Sequence, residues 1–262
     1  MELTSENYYS PAANALYYSA SQIKAFRKCE ASALAEIRGE YERPMSQALL
    51  CGQFVDEALT GDLEAWKLKH PEILKRDGTP KAEFVQCEEM VARAKSDPVF
   101  MDFMDGDHQM IITGSIAGGY TFKAKYDVFG GARIVDLKTV KDLNNVYLPG
   151  QGRVDFATAW DWPLQMAIYQ ELYRVANGVR FPCYLAVITK ESPPDLTVVQ
   201  IEQERMDAEL EWLKQAMPRI EAIKEGIIEP RRCGKCAYCR ATHKLTGPVP
   251  LGDYDDLMCM EA

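Results

Sequence analysis

Polar and apolar residues alternate along most of one stretch, and the other predicted elements arrange themselves around it. In residues 120–140, YTFKAKYDVFGGARIVDLKTV, the apolar side chains Phe122, Tyr126, Val128, Val135 and Leu137 fall on alternate positions. Period two marks β-strands whose two faces differ. Gly130-Gly131 supplies the positive φ that a two-residue turn demands, so the stretch predicts a hairpin with its tip there. Closed at that point, the hairpin sets Val128 against Arg133, Asp127 against Ile134 and Lys125 against Asp136. Lys123, Lys125, Asp127, Ile134, Asp136 and Lys138 then share the face away from the apolar one.

Around it, helical and strand periods follow one another. Residues 1–18 are polar and tyrosine-rich and predict an extended arm. Ser19-Ala-Ser-Gln22 reads as a helix start. The apolar stripe Ile23, Phe26, Leu34 and Ile37 carries that helix to about Arg38, with Cys29 in its middle and Gly39 as its stop. Further helices are predicted over 45–60, 81–96 and from Asp97-Pro98, with a loop and a short helix between the first two. Strands follow at 108–116, 120–129 and 132–140, then a loop over 141–158. A helix over 160–177 has Pro163 in its first turn and Gly178 beyond its end. The apolar run 181–190 predicts a central buried strand, 197–202 another strand, and 203–225 a long amphipathic helix. The resulting fold class is α/β (α+β), with a mixed sheet that contains an antiparallel hairpin.

Composition narrows this modestly. The 262 residues are 47% hydrophobic, ordinary for a globular chain. No apolar run reaches the ~20 residues of a membrane helix. The N-terminus has neither a basic stretch nor an apolar segment of a secretory signal, so a cytoplasmic location is expected. The net charge of -9 argues against nucleic-acid binding by the whole surface, though a local basic groove remains compatible with it. Eight cysteines in a cytosolic chain point to metal binding more than to a disulfide framework.

The charged face of the hairpin carries the first candidate chemistry. Asp127 and Asp136 are expected to lie diagonally across the strand pair, roughly 7–8 Å apart at the backbone. Two carboxylates gathered on a half-buried sheet suit a shared Mg²⁺ or Mn²⁺. Lys138 points to the same place, where an ammonium can steady an attacking water or a charged phosphate. The bland alternative is a solvated charged face. The helix over 45–60 holds Asp56 and Glu57, either a third oxygen ligand or ordinary surface acids. Gln165 and Tyr169 share a helix face within an otherwise apolar run. A glutamine in such a setting needs a hydrogen-bond partner.

Taken together, Gly52-x-x-x-Asp56, Asp127, Asp136-x-Lys138 and Gln165-x-x-x-Tyr169 resemble the motif order of PD-(D/E)XK nucleases. The resemblance is to the RecB-like branch that includes phage and prophage RecE-like exonucleases, and it runs from about Ser19 to Arg240. It implies a restriction-endonuclease-like αβββαβ core with a central mixed sheet flanked by helices. It implies Asp127 and Asp136 as metal-binding acids, Lys138 as the catalytic lysine, and Gln165 and Tyr169 as the family's glutamine and tyrosine. It also implies the carbonyl of Leu137 as a metal ligand. Asp56 stands where many relatives have a histidine ligand, and Glu57 is its rival. The implied activity is Mg²⁺- or Mn²⁺-dependent hydrolysis of DNA by an exonuclease in recombination or end processing, with a single-strand annealing recombination protein as partner. The alternatives are a structure-specific or restriction-type endonuclease, and a non-catalytic DNA-binding protein with a metal–cysteine staple.

Cys233-x-x-Cys236-x-x-Cys239 puts three thiols within one short segment, a spacing that suits a metal or cluster. Iron–sulfur members of the same nuclease group carry one cysteine before the nuclease motifs and three after. That resemblance implies Cys29 as the fourth ligand and a 4Fe–4S cluster that staples the two ends of the chain. Zinc, with Cys29 or His243 as fourth ligand, is the alternative. Cys51, Cys87, Cys183 and Cys259 are expected to be buried or incidental. Lys24, Arg27 and Lys28 flank Cys29, and Arg231, Arg232, Lys235, Arg240 and Lys244 flank the other three. If the ends meet, these cations form a DNA-binding patch on an acidic protein. The expected organisation is an arm over 1–18, a nuclease domain over 19–247 and an acidic tail over 248–262.

Overall fold

The structure is a computed structural model and describes residues 1–245, 247, 248 and 250. The acidic tail from residue 251 onward, Cys259 included, lies outside the described residues. Seven α-helices precede the sheet, with a 3-10 turn (Pro71–Ile73) after the fifth: α1 (Pro11–Leu16), α2 (Ala20–Lys28), α3 (Glu30–Ile37), α4 (Gln47–Thr60), α5 (Leu63–Lys69), α6 (Ala82–Lys95) and α7 (Pro98–Phe103). Strands β1 (Asp107–Ile116), β2 (Tyr120–Phe129) and β3 (Ile134–Val140) follow. Next come a small hairpin, β4 (Val146–Leu148) and β5 (Gly152–Val154), a single turn α8 (Phe156–Ala159) and the long α9 (Trp162–Asn177). The chain continues through β6 (Cys183–Thr189), β7 (Leu196–Gln200), α10 (Gln203–Lys224) and α11 (Ala237–Ala241).

Five strands make one sheet in the order β1-β2-β3-β6-β7. β2–β3 and β6–β7 are antiparallel, and β3–β6 is parallel, in register from Ile134 opposite Cys183 to Val140 opposite Thr189. A parallel neighbour needs a crossover, and α9 is part of it. The sheet is therefore mixed, as its hairpin and buried central strand predict. Among the described residues no helix is long and apolar enough to cross a membrane.

The chain groups into two compact units. One holds residues 44–114 and 123–209, the other residues 1–43, 115–122 and the described residues from 210 onward. In the first, Phe54 and Val55 of α4 and Met90 of α6 pack with Val128, Val135 and Leu137 of the hairpin. Burial of side chains of this size stabilises by about 1.5–3 kcal/mol each relative to exposure. In the second unit, Cys29, Ala31 and Cys239 form a small core, with Cys233, Cys236 and Tyr238 against it.

Several expectations are corrected here. Residues 1–18 are not extended throughout: Ser10 caps the short α1, and Tyr18 bridges to Phe122. The helix expected from Ser19 to Arg38 is two helices. Cys29 adopts an extended backbone (φ -164°, ψ 107°), closes α2 and opens α3 without capping it by its side chain. The predicted loop over 141–158 contains β4, β5 and the start of α8. Cys51 and Cys87, expected to be buried or incidental, are buried but not incidental: they are disulfide-bonded between α4 and α6, with Cα atoms 6.0 Å apart. Cys183 is buried as expected, and burial pushes its thiol up to about 12.

Candidate active site

The hairpin turn sits one residue further along than Gly-Gly at its tip would place it. Gly130 N–H donates to Arg133 O (3.0 Å), Gly131 has φ +70°, and Val128 pairs with Val135. Moving the turn by one residue slides the register by two. Extended by one more pair, that register sets Asp127 level with Asp136 instead of diagonal to it. A slip of two leaves each side chain on its own face, so the carboxylates stay together. Leu137 N–H donates to Asp127 Oδ2 at 2.8 Å.

Asp136 is 1% exposed and anchors the site. Its Oδ1 accepts from Gln165 Nε2 at 2.8 Å, and the same amide group donates to Tyr169 Oη at 3.1 Å. Their spacing on α9 presents Gln165 and Tyr169 together, and Tyr126 Oη donates to Tyr169 O at 2.8 Å. Lys138 ion-pairs with Asp136 Oδ2, and its Nζ lies 5.7 Å from the Trp162 ring centroid.

α4 brings Asp56 to the same unit. Thr60 Oγ1 donates to Asp56 Oδ1 at 2.8 Å, and Gln109 Nε2 approaches both carboxylate oxygens at 3.3–3.4 Å. Gln109 also donates to Thr60 Oγ1 at 3.1 Å. Glu57 is turned to a different task, accepting from Asp62 N–H at 3.1 Å. Gln109 and Thr60 are absent from the sequence-based candidates. Thr60 could have been found, since it stands one helical turn after Asp56. No sequence signal marks Gln109, which sits in β1 at φ +55°. Lys123, predicted on the charged face, is buried, and burial pulls its ammonium down to about 8.

The electrostatics show how crowded the acids are. Burial, then the charges of Asp136 and Asp56, hold the Asp127 carboxyl well above the usual range. Burial also raises Asp56, with Glu57 and Asp136 adding to it and Thr60 and Lys125 working against it. Burial works against the Lys138 ammonium, but Asp136 and Asp127 outweigh it and hold its pKa above the ordinary value. Asp136 Oδ2 has the Lys138 ammonium beside it yet no donor aligned for a hydrogen bond. Three acids with hard oxygen donors outnumber the Lys138 and Lys125 ammonium groups that act on them, which fits a divalent cation.

The other unit holds a second cluster. The Sγ atoms of Cys29, Cys233, Cys236 and Cys239 all lie within 4.8 Å of one another. Cys29 completes the set, and His243 is not part of it. Lys24, Arg27, Lys28, Arg231, Arg232, Lys235 and Arg240 lie in this unit. Arg27, Arg232 and Arg240 make contacts within the fold as well. Arg27 stacks on Trp212 at 3.5 Å, Arg232 donates to Cys239 O at 3.1 Å, and Arg240 donates to Lys235 O at 2.9 Å.

An αβββαβ core with a mixed sheet and acids on adjoining strands is the PD-(D/E)XK nuclease fold. Residues 19–242 match the family described as a PDDEXK-like domain of unknown function, and the chain belongs to that family. A crystal structure from Eubacterium rectale, of a protein provisionally described as an exonuclease, is similar over 97% of this chain and 98% of that one. It has a TM-score of 0.93 and 36% identity. A second solved structure, SSO0001, aligns over 87% of this chain and 99% of that one with a TM-score of 0.34 and 14% identity, too distant to support any reading. No curated protein matches.

Proposed function

We propose that the chain is a metal-dependent deoxyribonuclease of the phage RecE-like kind, removing nucleotides from DNA ends during recombination. The observation that carries this reading is the Asp136 constellation. One buried carboxylate is fixed by Gln165, ion-paired to Lys138 and close enough to Asp127 to raise its pKa. A binding module has no use for such a costly arrangement of buried charge.

Hydrolysis adds water across a P–O bond. The attacking oxygen loses a proton, the leaving oxygen gains one, and negative charge builds on the phosphate in between. Asp127, Asp136, Asp56 and the Leu137 carbonyl would hold Mg²⁺ or Mn²⁺. Bound there, the cation supplies Lewis-acid polarisation of the scissile phosphate and a lowered pKa for attacking water. The Lys138 ammonium offers its charge and its hydrogens to the phosphate oxygens as they become more negative. Gln165 keeps Asp136 in one rotamer, and Tyr169 keeps Gln165 in place. Asp56, braced by Thr60 and Gln109, serves where relatives use histidine, and its oxygen favours the same hard cations. The cations flanking the four cysteines supply sequence-independent contacts to the phosphate backbone.

The test uses linear and covalently closed circular DNA with Mg²⁺ or Mn²⁺. We expect the linear form alone to be degraded, and a Lys138→Ala variant to be slower by on the order of 10²–10³. Cutting of the closed circle would replace the exonuclease with an endonuclease. No cleavage of either form by metal-loaded protein would overturn the enzyme reading.

A further inference from the structure

We propose that Cys29, Cys233, Cys236 and Cys239 bind one zinc ion, in place of the 4Fe–4S cluster that the family resemblance implies. The separation of the sulfurs decides between them. Four thiolates about 2.3 Å from a single tetrahedral ion stand about 3.8 Å from one another. Here Cys29 and Cys239 Sγ are 3.5 Å apart, Cys233 and Cys239 Sγ 4.0 Å, and no pair exceeds 4.8 Å. In a four-iron cubane each thiolate binds its own iron at a separate corner, which spreads the sulfurs beyond the spacing around one ion. The sulfurs are also too far apart for bonds among themselves, which need about 2.05 Å.

The surrounding backbone is built for a compact ion. Gly234 takes φ +68°, which lets the segment from Cys233 to Cys236 fold back. Cys236 N–H then points at Cys233 Sγ (3.3 Å), and Cys239 N–H at Cys236 Sγ (3.4 Å). Such donors steady thiolate charge and fix the ligands' directions. Cys29 arrives from the break between α2 and α3, and the next residue locks it in position. Glu30 takes two bonds from Arg219, at 2.7 and 2.8 Å, and a third from Arg231 N–H at 2.7 Å. Ala31 N–H donates to Arg231 O at 3.1 Å. Four protein sulfurs, two of them buried, leave no open position, so the ion has a structural task and takes no part in hydrolysis.

The test is a metal and spectroscopic inventory of the full chain, prepared without oxygen from cells supplied with both iron and zinc. The expected result is about one zinc per chain, no iron and no visible charge-transfer absorption. Cys239→Ser and, as a second and less buried site, Cys236→Ser should lose the zinc. Asp136→Asn should keep it, which separates this site from the acidic one whatever the nuclease assay returns. About four irons with matching sulfide, or metal-free protein with its thiols paired as disulfides, would overturn the proposal.

Discussion

Asp56 is held by side chains from two different elements, and the less obvious of the two is Gln109. A non-glycine residue at φ +55° is held against its own preference, so neighbouring contacts must fix it there. The Gln109 amide is bonded to Asp56 and to Thr60, which is such a contact. Removing it frees Asp56 without deleting a carboxylate. Gln109→Ala is expected to raise the Mn²⁺ concentration for half-maximal cleavage by about 10-fold, with little change in rate at saturating metal. A drop in the saturating rate alone would assign Gln109 to the chemistry. Asp127 supports a pH prediction. With burial and its acidic neighbours raising its pKa, the metal-free folded state keeps a proton that the unfolded chain releases above about pH 4. The folded state then binds more protons, so the stability of the metal-free protein falls as pH rises through the folded pKa. On the proposed metal reading a cation would replace the proton, so the gain in Tm from Mn²⁺ should grow with pH. Asp127→Asn should flatten both trends in thermal melts, and an unchanged pH slope in that variant would assign the effect elsewhere.

At the scale of elements, what could be read from the sequence followed from periodicity, and what could not followed from choices periodicity leaves open. Alternation along 120–140 placed Asp127, Asp136 and Lys138 on one face, and a helical spacing placed Gln165 beside Tyr169. Both arrangements are set by backbone geometry alone. Adjacent glycines permit the turn at either of two positions, so the register was open by two residues while the faces were not. Cys29 shows a different limit. The apolar stripe Ile23, Phe26, Leu34 and Ile37 gives no sign of a break there, and the three cysteines that gather round it lie some 200 residues away. The pairing of Cys51 with Cys87 and the approach of Gln109 to Asp56 are likewise tertiary and carry no local signal. Gly52 joins motif to element. A Cβ there would lie 3.4 Å from Thr139 Oγ1, an ordinary van der Waals contact, so α4 rests against β3 with room for a methyl but little more. Gly52→Val is expected to cost about 1–3 kcal/mol in denaturant unfolding. It should weaken metal binding as well, because α4 carries Asp56. Unaltered stability would show that α4 has slack at this contact.

For the molecule as a whole, charge sets the terms on which it meets DNA. A net charge of -9 repels phosphate at long range, so attraction must come from a local concentration of cations. The four cysteines create one, since Lys28 adjoins Cys29 while Arg232 and Lys235 flank Cys233. Lys28, Arg231, Lys235 and Arg240 are exposed, while Arg232 spends its guanidinium on Cys239 O. Neither Lys28 nor Lys235 is one of the four sulfur ligands, so both can change while the thiols remain. Each phosphate contact releases condensed counterions, so the logarithm of affinity falls with the logarithm of salt by about 0.9 per contact. A Lys28→Ala, Lys235→Ala double variant should bind duplex DNA more weakly at low salt and show a salt slope shallower by about 2, one unit per lost contact. At saturating DNA its cleavage rate should match that of the unaltered chain, because neither lysine belongs to the unit that holds Asp136. An unchanged salt slope, measured by anisotropy over the same range, would move the DNA path off this patch and leave its cations to the fold alone.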